Sequence, residues 1–284
     1  HGSMTGAVGA KFPAPTLGRA VQAPATAAVL MLHGLGDTGA GWSFLADQLG
    51  MKHVDCVFPT AQTLPVTLNG GMSMPSWFDI KGLNYSADVM DHGQVAESVA
   101  YLNELIEAQK AKGIAADRIV VGGFSQGGNI ALKAFMSSPE RLGGCIALST
   151  WLEPGSAYEK EVLQNKGAPI FWGHGVADPM VPAVLGTNSV LHLRKLGYTV
   201  DHKEYPGMGH SACPAELEDI RALLSKILPA TPPKPLTAEE IDAMPVKELR
   251  RKLQAANVTV SDMRPRRGSR ELTKRTQDDG LPRE

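Results

Sequence analysis

Short, continuously apolar runs alternate along this chain with segments of helical periodicity, and that alternation restricts the folds open to it. Ala27 to Leu32, Val54 to Phe58, Arg118 to Val121, Gly144 to Leu148, Pro169 to Trp172 and Tyr198 to Tyr205 read as strands. Most lack polar alternation, as strands do when helices cover both faces of a mainly parallel sheet. Between them, Gly93 to Lys112 places Val95, Val99, Leu102 and Ile106 on one helical stripe. Pro214 to Leu228 does the same with Leu217, Ile220, Leu224 and Ile227. The expected fold class is α/β, a mostly parallel central sheet flanked by helices on both faces.

Composition sets the outer limits. With 284 residues, 43% hydrophobic and 20% charged, the chain has enough apolar material for one large core, which excludes disorder as its main state. A formal net charge of -1 gives no global field to recruit nucleic acid or an anionic membrane. Cys56, Cys145 and Cys213 are odd in number and widely spaced, offering neither a disulfide framework nor a CxxC metal pattern, so a cytoplasmic location is expected. No apolar stretch approaches the roughly 18 residues of a membrane span, and Pro13, Pro15 and Pro24 interrupt any secretory h-region. A soluble protein follows as the expectation.

Punctuation divides the chain. Residues 1–26 read as a tag remnant (His1-Gly2-Ser3-Met4) and an N-terminal segment, 27–228 as the catalytic domain, and 229–236 as a stiff Pro-rich linker. Residues 237–284 read as a helical and basic extension, partly disordered. Thr237-Ala238-Glu239-Glu240 is a capping-box sequence, and Pro245 to Ala256 carries Val246, Leu249 and Leu253. Asp262 to Arg275 then holds six basic residues against two acids. A solvated tail explains that run, and a small module contacting nucleic acid or a protein partner is the alternative. Within the catalytic part, Ala61 to Ser86 shows no clean period and reads as a long, lid-like loop.

Gly123-Phe124-Ser125-Gln126-Gly127 spells G-x-S-x-G between a strand and a helix spanning Asn129 to Met136. Glycines permit the sharp turn, and the helix N-terminus supplies a backbone donor where an oxyanion would form. A serine hydroxyl needs a neutral imidazole to take its proton, and the imidazole needs a carboxylate to fix its tautomer. In α/β-hydrolases these follow in the order Ser, Asp, His, each in a loop after a strand. Asp178 follows the strand at Pro169 to Trp172, and His210 follows the strand ending at Tyr205. His174, at a strand end, is the competing base; His192 lies on the helix Pro182 to Leu196, while Asp201 and His202 lie within a strand.

Gly34, Gly36 and Gly39 also spell GxGxxG, which raises a dinucleotide-binding alternative. The acid that such a site needs at the end of its second strand is missing, because Asp55 precedes that strand's apolar residues. The segment instead fits a second oxyanion donor. No cofactor and no metal are implied by any motif.

With these residues in view, the chain resembles the acyl-protein thioesterases of the phospholipase/carboxylesterase family, within the α/β-hydrolase superfamily. The resemblance runs from Ala27 to Leu228, through HGLGDTG at 33–39, PVTLNGGMSMPSWFDI at 65–80, GGFSQGG at 122–128, ADPMVP at 177–182 and GMGH at 207–210. It implies a triad of Ser125, Asp178 and His210, with the backbone amides of Leu35 and Gln126 as the oxyanion hole. It also implies removal of long acyl chains, notably palmitoyl, from protein cysteines, with S-acylated proteins as partners; the sequence departs from animal members in having no cysteine near its N-terminus that could be lipidated, so no stable membrane insertion is expected. The loop composition agrees: Leu68, Met72, Met74 and Trp77, with Trp151 and Met180, would line an acyl tunnel. A broad carboxylesterase or lysophospholipase acting on medium-chain oxygen esters is the alternative activity, and a catalytically silent scaffold is the alternative class.

Overall fold

The computed structural model describes residues 11–21, 24–159, 164–230 and 244–245. The chain divides into two units, His1–Ala230 and Thr231–Glu284, and the fold below is that of the first. The expected helices after Thr237 and the basic run at 262–275 lie outside the described residues.

Strand β2 (Ala27–Leu32) is buried at every position. Ala28, Leu30 and Leu32 enter one core, and Ala27, Val29 and Met31 enter the other. Alternate side chains thus face two apolar layers, which is why the run shows no polar alternation. The same holds for β6 (Ile119–Phe124) and β7 (Gly144–Leu148), every residue of which is buried. With β1 (Thr16–Gly18), β3 (Val54–Phe58), β8 (Pro169–Gly175) and β9 (Thr199–Tyr205) they form a seven-stranded sheet in the order β1-β3-β2-β6-β7-β8-β9. Only β1 runs antiparallel, against β3.

Three helices cover one face: α3 (His92–Ala111), α4 (Gln126–Ser137) and α5 (Ala183–Lys195). The other face is covered by the short α1 (Gly39–Trp42) and α2 (Phe44–Leu49) and by α6 (Pro214–Ile227). On α3 the expected stripe of Val95, Val99, Leu102 and Ile106 is buried, and Asp91 caps the helix by accepting from the Gln94 amide. No helix among the described residues is long and apolar enough to cross a membrane.

One expectation is corrected. The interval 61–86 is not simply a loop, because β4 (Thr63–Val66) and β5 (Met72–Pro75) pair as an antiparallel hairpin. Its turn uses Gly70 and Gly71, both at positive φ. Pro65 and the exposed outer positions mask the period of 2. The edge strand β1 escapes sequence reading, since one exposed and two half-buried residues contribute backbone pairing and no apolar run.

The order of strands fixes where a site can form. From β2 the chain moves outward to β3, then returns to place β6 on the other side of β2. Loops leaving β2 and β6 therefore diverge, opening a crevice at the carboxyl ends of these strands, the preferred ligand site of such sheets.

Candidate active site

Between Phe124, the last residue of β6, and Gln126, the first of α4, stands Ser125 alone. Its backbone sits at φ 54° and ψ -121°, which costs a non-glycine residue about 1–3 kcal/mol. Gly123 and Gly127 make the corner sterically feasible. A Cβ on Gly123 would lie 2.3 Å from the Gly127 carbonyl, and one on Gly127 would lie 2.5 Å from the His33 oxygen. The Ser125 amide donates to the Leu148 carbonyl at 2.8 Å, and its own carbonyl accepts from Thr150 Oγ1 at 2.7 Å.

Asp178 lies in the loop after β8, and His210 in the loop after β9. His210 Nδ1 donates to Asp178 Oδ2 at 2.7 Å. Asp178 Oδ1 accepts from the amides of Met180 and Val181 at 2.8 and 2.9 Å, so the carboxylate is fixed before it orients the ring. A carboxylate at Nδ1 keeps the proton there and leaves Nε2 as the basic nitrogen. Ser125 and His210 line the same cavity of about 540 Å³. The ring of Phe124 packs 4.6 Å from that of His210.

His174 is fully buried and outside the cavity lining. Its Nε2 donates to the Val181 carbonyl at 2.8 Å and stands 3.5 Å from Asp178 Oδ2. Burial lowers its pKa, so it packs behind Asp178 as a neutral ring. His192 is paired with Glu159 at 2.8 Å on α5, and His202 is on β9.

Leu35 and Gln126 both line the cavity. As the first residue of α4, Gln126 offers an amide that no carbonyl of its own helix can take, at the positive end of the helix dipole. Its side chain does something sequence reasoning missed. Oε1 accepts from the Trp77 amide at 2.8 Å, and Nε2 donates to the Phe78 carbonyl at 2.7 Å, tying the segment after the hairpin to the serine corner. His33 is a second anchor: burial lowers its pKa, its Nε2 accepts from the Ala61 amide at 3.0 Å, and its Nδ1 donates to the Gly34 carbonyl at 2.6 Å.

Of the six residues expected in an acyl tunnel, Leu68, Met74, Trp151 and Met180 line the cavity. Met72 and Trp77 do not, which corrects that expectation. Met72 sits at the hairpin tip beside Gly71 and is 65% exposed. Trp77 is completely buried, its indole N–H donating to the His33 carbonyl at 2.8 Å. An apolar composition identifies the segment and does not say which side chains turn toward the crevice. Tyr85, Leu83, Trp42 and Phe44, which belong to no motif, complete much of the wall together with Ile80 and Asp37, which lie within motifs but had no expected role. Asp37 is the one carboxylate among the described lining residues, and no Lys or Arg joins it.

A mostly parallel sheet, with a strained serine at a strand-to-helix corner and a carboxylate-held histidine lining the same cavity, is an α/β-hydrolase fold. The sequence profile of the Phospholipase/Carboxylesterase family matches residues 19–228. This chain belongs to that family and is a hydrolase. It is 42% identical over 215 residues to a Neurospora crassa protein named Acyl-protein thioesterase 1, covering 72% of this chain and 88% of that one. A Gibberella zeae protein of the same name is 40% identical over 215 residues, covering 72% of this chain and 92% of the relative. Among solved structures, Arabidopsis thaliana SOBER1 superposes with a TM-score of 0.67 at 33% identity, covering 71% of this chain and 99% of that one. Zea mays acyl-protein thioesterase 2 gives 0.65 at 28% identity, covering 75% and 98%.

Proposed function

We propose that this chain is an acyl-protein thioesterase, a cytoplasmic enzyme that removes long acyl chains such as palmitoyl from protein cysteines. The observation that carries the reading is that His210, held from behind by Asp178, shares one largely apolar cavity with Ser125. His210 Nε2 takes the proton of Ser125 Oγ as the oxygen attacks the thioester carbonyl. The tetrahedral oxyanion is received by the amides of Leu35 and Gln126, donors fixed before the charge develops. As the C–S bond breaks, the protonated imidazole gives its proton to the departing cysteine thiolate. Water, deprotonated by the same Nε2, then attacks the acyl-serine, and the fatty acid leaves while Ser125 regains its proton.

The acyl chain is assigned to the cavity between Leu68, Met74, Trp151 and Met180. Methionines suit it, since an unbranched polarizable side chain adapts to a flexible ligand. Each methylene buried there contributes about 0.8 kcal/mol, so chain length alone supplies affinity without polar recognition. Residues 27–228 constitute the catalytic domain in this reading, with 229–236 as linker and 237–284 as an appended extension.

A chain-length series on matched thioesters and oxygen esters tests the proposal. The expected result is a kcat/KM that climbs from butyryl to palmitoyl and favours the thioester. An optimum at short or medium oxygen esters would replace it with the carboxylesterase reading.

A further inference from the structure

Helix α4 is buried from Gln126 through Met136, and one of those buried residues is a lysine. Lys133 is 1% exposed and Glu153, in the segment after β7, is 4% exposed. Lys133 Nζ lies 2.7 Å from Glu153 Oε1. One turn earlier on α4, Asn129 Oδ1 also accepts from Lys133, while Asn129 Nδ2 donates to Glu153 Oε2 and to the Trp151 carbonyl, both at 3.0 Å. A cation, an anion and an amide thus close a buried network, tied directly to the backbone of a cavity-lining residue.

The rest of that segment is held as tightly. Thr150 Oγ1 donates to the carbonyl of Ser125, and the Leu152 amide donates to Ser189 Oγ at 2.9 Å. Trp151 itself behaves differently. Its indole packs edge-on against Tyr85 at 4.7 Å and Phe78 at 6.4 Å, and its buried Nε1 has no hydrogen-bond partner among the described residues. No polar bond of its own fixes the ring, so its position depends on these ring contacts and on the backbone that carries it.

We propose that Lys133, Glu153 and Asn129 are positioning residues that fix the Trp151 wall of the cavity and thereby set acyl chain-length selectivity. The proposal rests on the cavity being the acyl site. A buried ion pair is an expensive way to add stability, because desolvation cancels most of the attraction. It is an effective way to forbid movement, since any shift that separates the partners leaves an unpaired buried charge, whereas apolar contacts yield gradually. The wall is consequently held at one distance from Ser125 instead of relaxing around whatever chain enters.

The double substitution Lys133→Met with Glu153→Leu removes both charges and keeps apolar volume, a replacement that cores commonly tolerate. Butyryl, octanoyl and palmitoyl chains are compared as thioesters and as oxygen esters, with melting temperature measured alongside. The folded double variant is expected to lose at least fivefold in the palmitoyl-to-butyryl ratio of kcat/KM, through a higher KM for the long chain, with kcat for butyryl within twofold of wild type. A stable double variant with an unchanged ratio overturns the proposal. Should the double variant fail to fold, Asn129→Ala cuts the tie to the Trp151 carbonyl while leaving the ion pair, and the same shift or its absence decides. Failure of wild type to cleave thioesters would instead count against the thioesterase reading, and the oxygen-ester arm would still report on the network.

Discussion

Asp178 holds Nδ1 of His210 at 2.7 Å through one carboxylate oxygen and the amides of Met180 and Val181 through the other. The division of labour makes Asp178→Asn a clean test. The amide oxygen can still accept from both backbone N–H groups, but its NH₂ would then face His210 and force the proton onto Nε2. Turnover should fall roughly 10⁴-fold with little loss of stability, as expected when a catalytic imidazole is held in the wrong tautomer. Steady-state kinetics on a short thioester, with a thermal melt on the same sample, checks this. A loss under tenfold would remove Asp178 from the mechanism.

The strained corner predicts an inverted stability order. Glycine is ordinarily less stable than alanine by about 0.5–1 kcal/mol inside regular structure. At position 125, where φ is 54°, glycine relieves strain that alanine retains. Ser125→Gly is therefore expected to exceed Ser125→Ala by about 1 kcal/mol in urea denaturation. An alanine variant as stable as the glycine variant would show that the corner is unstrained.

Truncating Gln126 tests the side chain separately from the backbone amide. Alanine leaves the buried Trp77 amide without its partner, while the Phe78 carbonyl keeps the Ser76 hydroxyl as a donor at 2.7 Å. Leaving one such group unsatisfied costs about 1–3 kcal/mol. Denaturant midpoints measure it, and a change below 1 kcal/mol would mean that the segment after the hairpin is held by other contacts.

What the sequence made legible follows from how each element earns its stability. Val54–Phe58 and Gly144–Leu148 stand where the apolar runs begin and end, because burial on both faces writes itself into consecutive residues. The β4–β5 hairpin and β1 are held largely by backbone pairing, which leaves little composition to read. Ser125, Asp178 and His210 could be singled out because topology demands a loop after a strand for each. Which of Met72, Met74 and Trp77 reaches the crevice depends on local backbone direction, and no spacing encodes that. Nor does anything in a lone lysine on α4 announce a partner in the segment after β7.

Glu216 predicts a pH dependence of stability. Its carboxyl is fully buried on α6 with neither oxygen hydrogen-bonded among the described residues, so close to the sheet that a Cβ on Gly173 would lie 2.2 Å from Oε1. Burial, reinforced by the charge of Asp219, pushes its pKa up to about 8. In the unfolded chain the group titrates near about 4.3. Its contribution is thus whole below that value, declines as pH rises because only the folded state keeps the proton, and is lost above about 8. Wild type should lose up to about 1.4 kcal/mol per pH unit across this window relative to Glu216→Gln. Urea titrations of both proteins at pH 5 and pH 8 provide the comparison, and parallel behaviour would refute the assignment.

The most direct measurement is palmitoyl-thioester turnover by Ser125→Ala beside wild type, with circular dichroism confirming that both are folded. The account predicts that hydrolysis drops to the uncatalysed background while the melting temperature stays within a few degrees. A folded Ser125→Ala protein that still cleaves the thioester at a substantial fraction of the wild-type rate would contradict it.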